Sequence, residues 1–322
     1  MGKRSRRMKV KIVARREVAV GIAAFELMDP RGALMPAFSA GAHIDVHVSN
    51  GLVRQYSLCN DSRERSRYMI CVLHDPETRG GSRAMHEMRE GQTLEISEPR
   101  NHFPLASDSG HSVLLAGGIG VTPIVSMAFS LASEGASFEI HYCARGPSHA
   151  AFLDRFAEPD LRDRTRLYFD TSPACDRLRM QDVLATPSTE KHLYVCGPKG
   201  FIDAAVTTAM EAGWKTTNVH REHFSADPMP SGEAGSFTVR LAKNQRTVNV
   251  GPNERVIDAL GKAGVFVPVS CEEGVCGTCL TGVLAGEPDH RDSYLTKRER
   301  TKNDRFLPCC SRSKTPLLVL DL

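Results

Sequence analysis

The chain has 322 residues, of which 41% are hydrophobic and 25% charged, and its formal net charge is +3. This length allows two or three domains with separate cores, and the composition is that of a folded globular protein. The small net charge gives no support for a nucleic-acid partner, and no apolar run approaches the length that spans a bilayer. The N-terminus is basic but lacks the apolar segment of a signal peptide. Most of the ten cysteines are scattered without a pattern, which predicts a cytoplasmic protein with no membrane partner and no disulfide scaffold.

The first part of the chain, residues 8–108, alternates between apolar and polar residues in short runs. Strands are predicted at residues 9–13, 43–48, 52–58, 68–74 and 91–96, with a turn at Asn50-Gly51. Several short strands at this spacing predict an antiparallel β-barrel domain.

Two motifs in this predicted barrel suit a ligand with an anionic and an aromatic part. Arg54 and Tyr56, in Arg54-Gln55-Tyr56-Ser57, share one face of a strand, where a guanidinium can bind phosphate and a ring can stack. In Arg79-Gly80-Gly81-Ser82, the paired glycines let backbone N–H groups approach an anion, and Ser82 can cap a following helix. The alternatives are a strand arginine and tyrosine that face solvent, and an ordinary glycine turn.

Residues 109–225 change to the alternation of strands and helices that is typical of an α/β nucleotide-binding domain with a parallel sheet. Strands are predicted at residues 112–116, 138–142, 166–169 and 192–195, and a helix at 124–134. Gly117-Gly118-Ile119-Gly120 follows the first strand, and Cys196-Gly197-Pro198 follows the last. Both loops are expected at the carboxyl ends of the strands, where open parallel sheets bind ligands. The glycine run departs from the G-x-G-x-x-G fingerprint, and a structural turn cysteine is the alternative for Cys196.

Asp170 is predicted to influence the choice of nicotinamide nucleotide. It ends a predicted strand, and Thr171-Ser172-Pro173 follows it. A carboxylate at this place can accept hydrogen bonds from a ribose and repel a 2′-phosphate, which predicts NADH rather than NADPH. Arg177 is close enough in sequence to weaken that preference.

A linker is predicted at residues 226–235, where proline and glycine are frequent and no periodicity is present. A third domain, residues 236–322, begins with a strand at 237–241 and continues with a second strand, a short helix at 256–263, a cysteine-rich loop and a last strand at 316–322. This composition suits an α+β ferredoxin β-grasp.

The cysteine-rich loop carries the most specific motif in the chain. Cys271, Cys276 and Cys279 are spaced C-x4-C-x2-C, and Cys309 follows at a distance, which is the pattern of plant-type [2Fe–2S] ferredoxins. A zinc site is the alternative, but it usually pairs two C-x2-C units or adds histidine. Cys309 is chosen over Cys310 as the fourth ligand because neighbouring side chains of an extended segment point to opposite faces.

The histidines are interpreted as structural residues. His43 and His47 lie on a predicted strand, where four residues span about 13 Å, too far for both rings to reach one metal. His220 and His223 have no obvious third ligand, so no second metal site is predicted.

In their order along the chain, these motifs resemble the phthalate dioxygenase reductase family, a ferredoxin–NADP reductase-like module fused to a C-terminal plant-type ferredoxin. The resemblance covers nearly the whole chain and extends to Cys59-Asn60-Asp61-Ser62 and Leu320-Asp321-Leu322. It implies FMN rather than FAD, together with NADH and a [2Fe–2S] cluster. Two departures are a strand with His74 where the family has a basic residue, and Cys310 beside the ligand.

The resemblance also implies roles for particular residues. The residues expected to hold FMN are Arg54, Tyr56, Ser57, Val72, Leu73, Gly80, Gly81, Ser82, Thr122 and Phe224, the last by stacking on the ring. Those expected to hold the nucleotide are Gly117, Gly118, Gly120, Asp170, Cys196, Gly197 and Pro198. Thr122 and Cys196 are placed near the junction of flavin and nicotinamide, and no catalytic residue is assigned with certainty.

The sequence therefore predicts a monomeric reductase component of a two-component Rieske-type aromatic-ring dioxygenase, which passes electrons from NADH through FMN and [2Fe–2S] to the oxygenase. The alternative within enzymes is the reductase of an O-demethylase oxygenase, such as one that acts on vanillate. An alternative of another class is an iron–sulfur and flavin redox sensor, for which the sequence offers no DNA-binding motif.

Overall fold

The computed structural model describes residues 7–48, 52–75, 80–224, 235–269, 274–275 and 277–322. The chain divides into two compact units, Met1–Phe224 and Ser225–Leu322. Among the described residues, no helix is both long and apolar enough to cross a membrane.

The first half of unit 1 is a sheet of antiparallel strands wrapped around an apolar interior. Its elements are β1 Arg7–Ala19, β2 Ile22–Met28, β3 Ala42–His47, β4 Val53–Ser57, β5 Tyr68–Leu73, α1 Gly81–Glu87, β6 Thr93–Ser97 and β7 Arg100–Asn101. The strand order is β4-β3-β6-β1-β2-β5, with β7 paired to β3. The two ends of this order meet at an antiparallel bridge between Leu58 and Ile70. The antiparallel architecture predicted for this domain is confirmed.

Alternation explains most of these strands. In β1, Val10 and Ile12 are fully buried while Lys9 and Lys11 face outward, as a half-buried strand requires. Strand β2 was not predicted, because it is buried along almost its whole length and has no alternation. The predicted turn at residues 50–51 lies outside the described residues.

The second half of unit 1 is a parallel sheet between helices. Its elements are β8 His111–Gly117, α2 Val121–Ser133, β9 Phe138–Ala144, α3 Leu153–Phe156, α4 Pro159–Arg162, β10 Thr165–Phe169, α5 Met180–Leu184, β11 Lys191–Cys196, α6 Lys199–Glu211 and β12 Val219–Glu222. The order is β10-β9-β8-β11-β12, and each neighbouring pair is parallel. The predicted α/β domain is confirmed.

Strand β8 lies at the centre of this sheet and is covered on both faces. Leu114 packs with helix α2 on one face, while Val113 and Leu115 pack with helix α6 and Trp214 on the other. Strands β9 and β10 extend the sheet on one side of β8, and the chain then crosses to the other side, where β11 pairs with β8. Folds of this class bind ligands beyond the carboxyl ends of the strands at such a reversal, which here are the ends of β8 and β11.

Unit 2 is a small mixed sheet with two short helices. Its elements are β13 Phe237–Leu241, β14 Thr247–Val250, α7 Val256–Lys262, β15 Thr281–Ala285, β16 Pro288–Asp289, α8 Lys297–Lys302, β17 Arg305–Phe306, β18 Arg312–Ser313 and β19 Leu317–Leu320. The main order is β14-β13-β19-β15-β17, with β13 and β19 parallel. The predicted linker lies outside the described residues except for Gly235.

Candidate functional site

The predicted phosphate site brings Arg54 against the glycine pair. Arg54 lies on β4, and its side chain crosses the start of α1 so closely that a Cβ on Gly81 would lie 2.6 Å from the Arg54 Nε. Gly80 precedes the helix in the left-handed conformation, with a φ of 92°. A guanidinium beside side-chain-free backbone suits a phosphate group, so these residues fit FMN. Arg79 lies outside the described residues.

Ser82 does not cap helix α1, and that expectation is wrong. The helix begins at Gly81, so Ser82 lies inside it, and its N-cap is Gly80 with no side-chain hydrogen bond. The Ser82 hydroxyl instead donates to the Asp75 carbonyl at 3.2 Å and accepts from the Asp75 N–H at 3.3 Å. It therefore links Asp75, just after β5, to the first turn of α1.

The strands expected to line the flavin ring lie side by side in the barrel. Tyr56 and Ser57 end β4, while Val72 and Leu73 end β5, and the two strands are in contact. The Val72 carbonyl hydrogen-bonds to His86 Nε2 at 2.9 Å, which ties this backbone to helix α1. Burial raises the pKa of the Tyr56 phenol, so its hydroxyl stays protonated across the physiological range.

The glycine loop after β8 and the end of β11 are in close contact. Gly120 lies so near the Cys196 carbonyl that a Cβ on it would overlap that backbone, and a Cβ on Gly197 would lie 3.0 Å from the Gly117 Cα. Glycine at these places permits the two loops to meet at the carboxyl ends of β8 and β11, where the sequence analysis expected both loops. Gly118 has a φ of 54°, and Pro198 precedes helix α6.

Thr122 and Cys196 are both buried where these loops meet. The Thr122 hydroxyl donates to the Ile119 carbonyl at 3.0 Å. Burial, with a smaller contribution from Glu222, raises the pKa of the Cys196 thiol, so it is neutral at physiological pH. A neutral thiol can pack against a ligand ring but does not act as a nucleophile.

Glu222 is the functional candidate that sequence analysis missed. It pairs with Cys196 across β11 and β12, and Ser57 of the barrel lies near enough to its carboxyl group to lower its pKa. Its Oε2 is buried with no hydrogen-bond partner among the described residues. Burial raises the pKa of Glu222 to about 8. A buried carboxyl group that titrates near neutrality is typical of a functional site.

Asp170 and Arg177 lie together at the end of β10. Arg177 Nη2 donates to the Asp170 carbonyl at 2.9 Å and its Nε to the Ser172 carbonyl at 3.4 Å. The Asp170 side chain is exposed. Asp170 and Arg177 therefore both lie at the end of β10, where the ribose of the nucleotide was predicted to bind. Phe224 is the last described residue of unit 1 and is 38% exposed.

In unit 2, Cys279 and Cys309 are both buried. The Cys310 sulfur lies so close to Gly274 that a Cβ on that glycine would overlap it. Gly277 packs beneath the ring of Tyr294. Two buried cysteines beside a loop that contains Gly274 and Gly277 fit an iron–sulfur cluster. Cys271 and Cys276 lie outside the described residues.

The reason given for preferring Cys309 over Cys310 is wrong in its premise. The segment is a turn and not an extended strand, because the Cys310 N–H donates to the Leu307 carbonyl at 3.2 Å. Both cysteines are buried, and the Cys310 sulfur lies over Gly274. Cys309 remains the predicted ligand.

Two family models match the chain. Residues 239–314 match the 2Fe-2S iron-sulfur cluster binding domain, and residues 114–207 match the oxidoreductase NAD-binding domain. Together with the fold and the site geometry, they define an oxidoreductase that takes electrons from a nicotinamide nucleotide and carries a [2Fe–2S] centre.

Whole-chain relatives identify the family. The chain is 48% identical to vanillate O-demethylase oxidoreductase of Pseudomonas sp. (strain HR199 / DSM 7063), over 98% of this chain and all of that protein. It is 39% identical to phthalate dioxygenase reductase of Burkholderia cepacia, over 98% and 97%. A solved structure of phthalate dioxygenase reductase, described as modular for electron transfer from pyridine nucleotides to [2Fe–2S], superposes with a TM-score of 0.78, 39% identity and 98% coverage of both chains. The chain belongs to the phthalate dioxygenase reductase family.

The predicted cofactors, FMN, NADH and a [2Fe–2S] cluster, are those of this family, and the chain is the reductase component of an oxygenase system. The roles of individual site residues remain predictions.

Proposed function

We propose that this reductase serves a Rieske-type oxygenase that demethylates a methoxylated aromatic acid, in the way that a vanillate O-demethylase does. The supporting observation is the greater identity, 48% against 39%, to a vanillate O-demethylase oxidoreductase than to phthalate dioxygenase reductase, over the same share of this chain. The ring dioxygenase predicted from the sequence is the second candidate, favoured by the structural match over 98% of both chains. We place the reductase in the cytoplasm, where NADH is present, and propose that it is a monomer.

Arg54, Gly80 and Gly81 hold the FMN phosphate, and the ends of β4 and β5 hold the ring. Flavin, when bound, accepts electrons from nicotinamide in pairs and releases them singly, which an iron–sulfur centre requires. The nucleotide binds at the carboxyl ends of β8 and β11, against the flavin. The chemistry of these steps belongs to the cofactors, so the protein supplies position, shape and electrostatics.

The flavin and the nicotinamide meet beside three residues, Ser57, Glu222 and Cys196. Glu222 holds a proton in a dry environment, with a pKa of about 8. It can therefore exchange a proton with bound groups near neutral pH without carrying a fixed charge. Ser57 interacts with that carboxyl group across the boundary between barrel and sheet, and the buried Cys196 excludes water beside it.

The partner assignment is tested by reconstitution with two purified oxygenases, a vanillate O-demethylase oxygenase and a phthalate dioxygenase oxygenase. Substrate-coupled NADH oxidation is measured against reductase concentration. We expect kcat/KM for the reductase to be at least about tenfold higher with the demethylase, which is about 1.4 kcal/mol of discrimination. Higher values with the dioxygenase would favour the second candidate, and no coupling with either oxygenase would contradict both.

Cofactor content provides an independent check. One FMN and two iron atoms per chain are expected. Extraction of FAD instead of FMN, or about one zinc per chain, would contradict the site assignments whatever the partner.

A further inference from the structure

Asp292 is a buried acidic residue of unit 2 that no predicted role uses. Its side chain is 0% exposed. Its backbone packs on the predicted cluster loop, since the Asp292 Cα would lie 3.0 Å from a Cβ on Gly274. The N–H of Ser293, the next residue, donates to the Gly274 carbonyl at 3.0 Å. Gly274 lies between the predicted ligands Cys271 and Cys276, so Asp292 borders the loop that supplies most of the ligands.

The carboxyl group of Asp292 also contacts the second segment that supplies a predicted ligand. The Ser311 hydroxyl donates to Asp292 Oδ1 at 3.4 Å, and the N–H of Arg291 donates to that hydroxyl at 3.1 Å. Ser311 is two residues after the predicted ligand Cys309, so their Cα atoms are at most about 7.6 Å apart. Asp292 therefore contacts both parts of the chain that would hold the cluster.

The contacts of this side chain are those of an ionised carboxylate. Oδ2 accepts the Leu295 N–H at 2.7 Å, which is in the range of charge-assisted hydrogen bonds. Arg300 Nη2 donates to the Asp292 carbonyl and lies 3.7 Å from Oδ2, while His290 Nδ1 lies 3.7 Å from Oδ1. The Arg300 side chain is 34% exposed, so water screens its charge in part. The fully buried carboxylate is screened less, and its negative charge is incompletely offset.

We infer that the buried carboxylate of Asp292 lowers the reduction potential of the [2Fe–2S] cluster. Reduction adds one electron and therefore one negative charge to the cluster. A fixed negative charge in a dry environment opposes that addition, because charges away from water are weakly screened. The surroundings of a cluster are one of the means by which proteins set its potential. Asp292 acts through its charge and is not a ligand, so its effect is the same whichever oxygenase the reductase serves.

The test is Asp292→Asn in the full-length holoprotein, because asparagine keeps the size and the acceptor oxygen of the side chain and removes its charge. Cluster potentials are measured by titration monitored by electron paramagnetic resonance at pH 8, above the range in which histidine ordinarily titrates. We expect the equilibrium constant for reduction to rise roughly three- to tenfold, where tenfold is about 59 mV for one electron. The matched control is Asp258→Asn in α7, where the carboxylate is 42% exposed and its removal should change the constant less than about twofold.

Two further measurements separate a charge effect from a change in the loop. The shift in Asp292→Asn should persist in about 1 M salt, where the Debye length is about 3 Å, because a buried charge is screened much less than an exposed one. Arg300→Gln removes the neighbouring positive charge and should shift the potential in the opposite direction, to lower values. Arg300→Lys keeps that charge and should stay close to the wild-type potential. A loosened loop would not produce opposite shifts in the asparagine and glutamine variants.

Equal potentials in the wild type and Asp292→Asn would overturn the inference, because the side chain would then be uncharged or too far from the cluster. Shifts of the same sign in Asp292→Asn and Arg300→Gln would overturn it too. If Asp292→Asn fails to assemble a cluster, Arg300→Gln decides, since a lower potential supports the inference and an unchanged or higher one contradicts it. A wild-type protein that shows no [2Fe–2S] spectrum would contradict the cluster assignment and the inference with it.

Discussion

Glu222, the last residue of β12, lies opposite Cys196, the last residue of β11, in the parallel nucleotide sheet. Its buried carboxyl group also interacts with Ser57 at the end of β4, in the barrel half of unit 1. The contact with Ser57 lowers the pKa of Glu222, but burial has the larger effect, so the pKa rises to about 8.

Removal of the Ser57 hydroxyl should raise the pKa of Glu222 above about 8, because an interaction that favours the ionised carboxylate is lost. The variant is Ser57→Ala, and the measurement is the pH titration of the carboxylic acid infrared band, with Glu222→Gln as the blank that assigns it. Ser57→Thr keeps a hydroxyl and should keep the wild-type value. If the pKa of Glu222 stays the same or falls in Ser57→Ala, the Ser57 hydroxyl does not favour the ionised carboxylate.

Glu222 should also make stability depend on pH. Its pKa is raised from 4.5 to about 8 in the folded chain, so the native state holds a proton that the unfolded chain releases between these values. The stability due to this proton is fully present below about pH 4.5 and is lost as the pH rises to about 8. The loss is at most about 5 kcal/mol, since each pKa unit is worth about 1.4 kcal/mol.

The measurement is urea unfolding at several pH values, followed by the fluorescence of Trp214, the single tryptophan, which is buried in unit 1. The unfolding free energy of Glu222→Gln should fall less than that of the wild type between pH 5 and 8. Parallel profiles for the two proteins would mean that Glu222 is ionised in the folded chain.

A methyl group at Gly81 should weaken FMN binding. Its Cβ would lie 2.6 Å from Nε and 2.7 Å from Cγ of Arg54, so the guanidinium must move away from the phosphate site. We expect the Kd for FMN of the deflavinated Gly81→Ala protein to rise at least about tenfold, about 1.4 kcal/mol, in a fluorescence titration. Gly200→Ala is the matched control, because no atom lies within 4 Å of its Cβ position. If Gly81→Ala binds FMN with wild-type affinity, Arg54 does not bind the phosphate group.

Nucleotide preference should respond in opposite directions to Asp170 and Arg177. Asp170→Ala should reduce the ratio of kcat/KM for NADH to that for NADPH, because a repulsive carboxylate is removed. Arg177→Ala should increase the ratio, because the guanidinium held at the Asp170 carbonyl no longer attracts a 2′-phosphate. Steady-state kinetics with ferricyanide provide both ratios. A change in the same direction in both variants would argue against a ribose site at the end of β10.

The sequence predicted the architecture well wherever a pattern is local. The C-x4-C-x2-C motif and the alternation in β1 depend only on neighbouring residues. Glu222 was missed because nothing in its local sequence marks it, and only the pairing of β12 with β11 places it beside Cys196. The local structure at Cys309 and Cys310 was missed for a similar reason, since the two residues lie in a turn that Leu307 closes and not in an extended strand.

The central claim is that electrons enter at unit 1 and leave through the cluster of unit 2. Cys276→Ser tests it most directly, because it removes a thiolate that iron prefers over a hydroxyl and leaves unit 1 unchanged. In stopped-flow experiments NADH should still bleach the flavin of the variant, and ferricyanide should still be reduced at the wild-type rate. Reduction of cytochrome c, or of the partner oxygenase, should collapse. Wild-type turnover with the protein acceptor would place the cluster off the pathway and contradict the account.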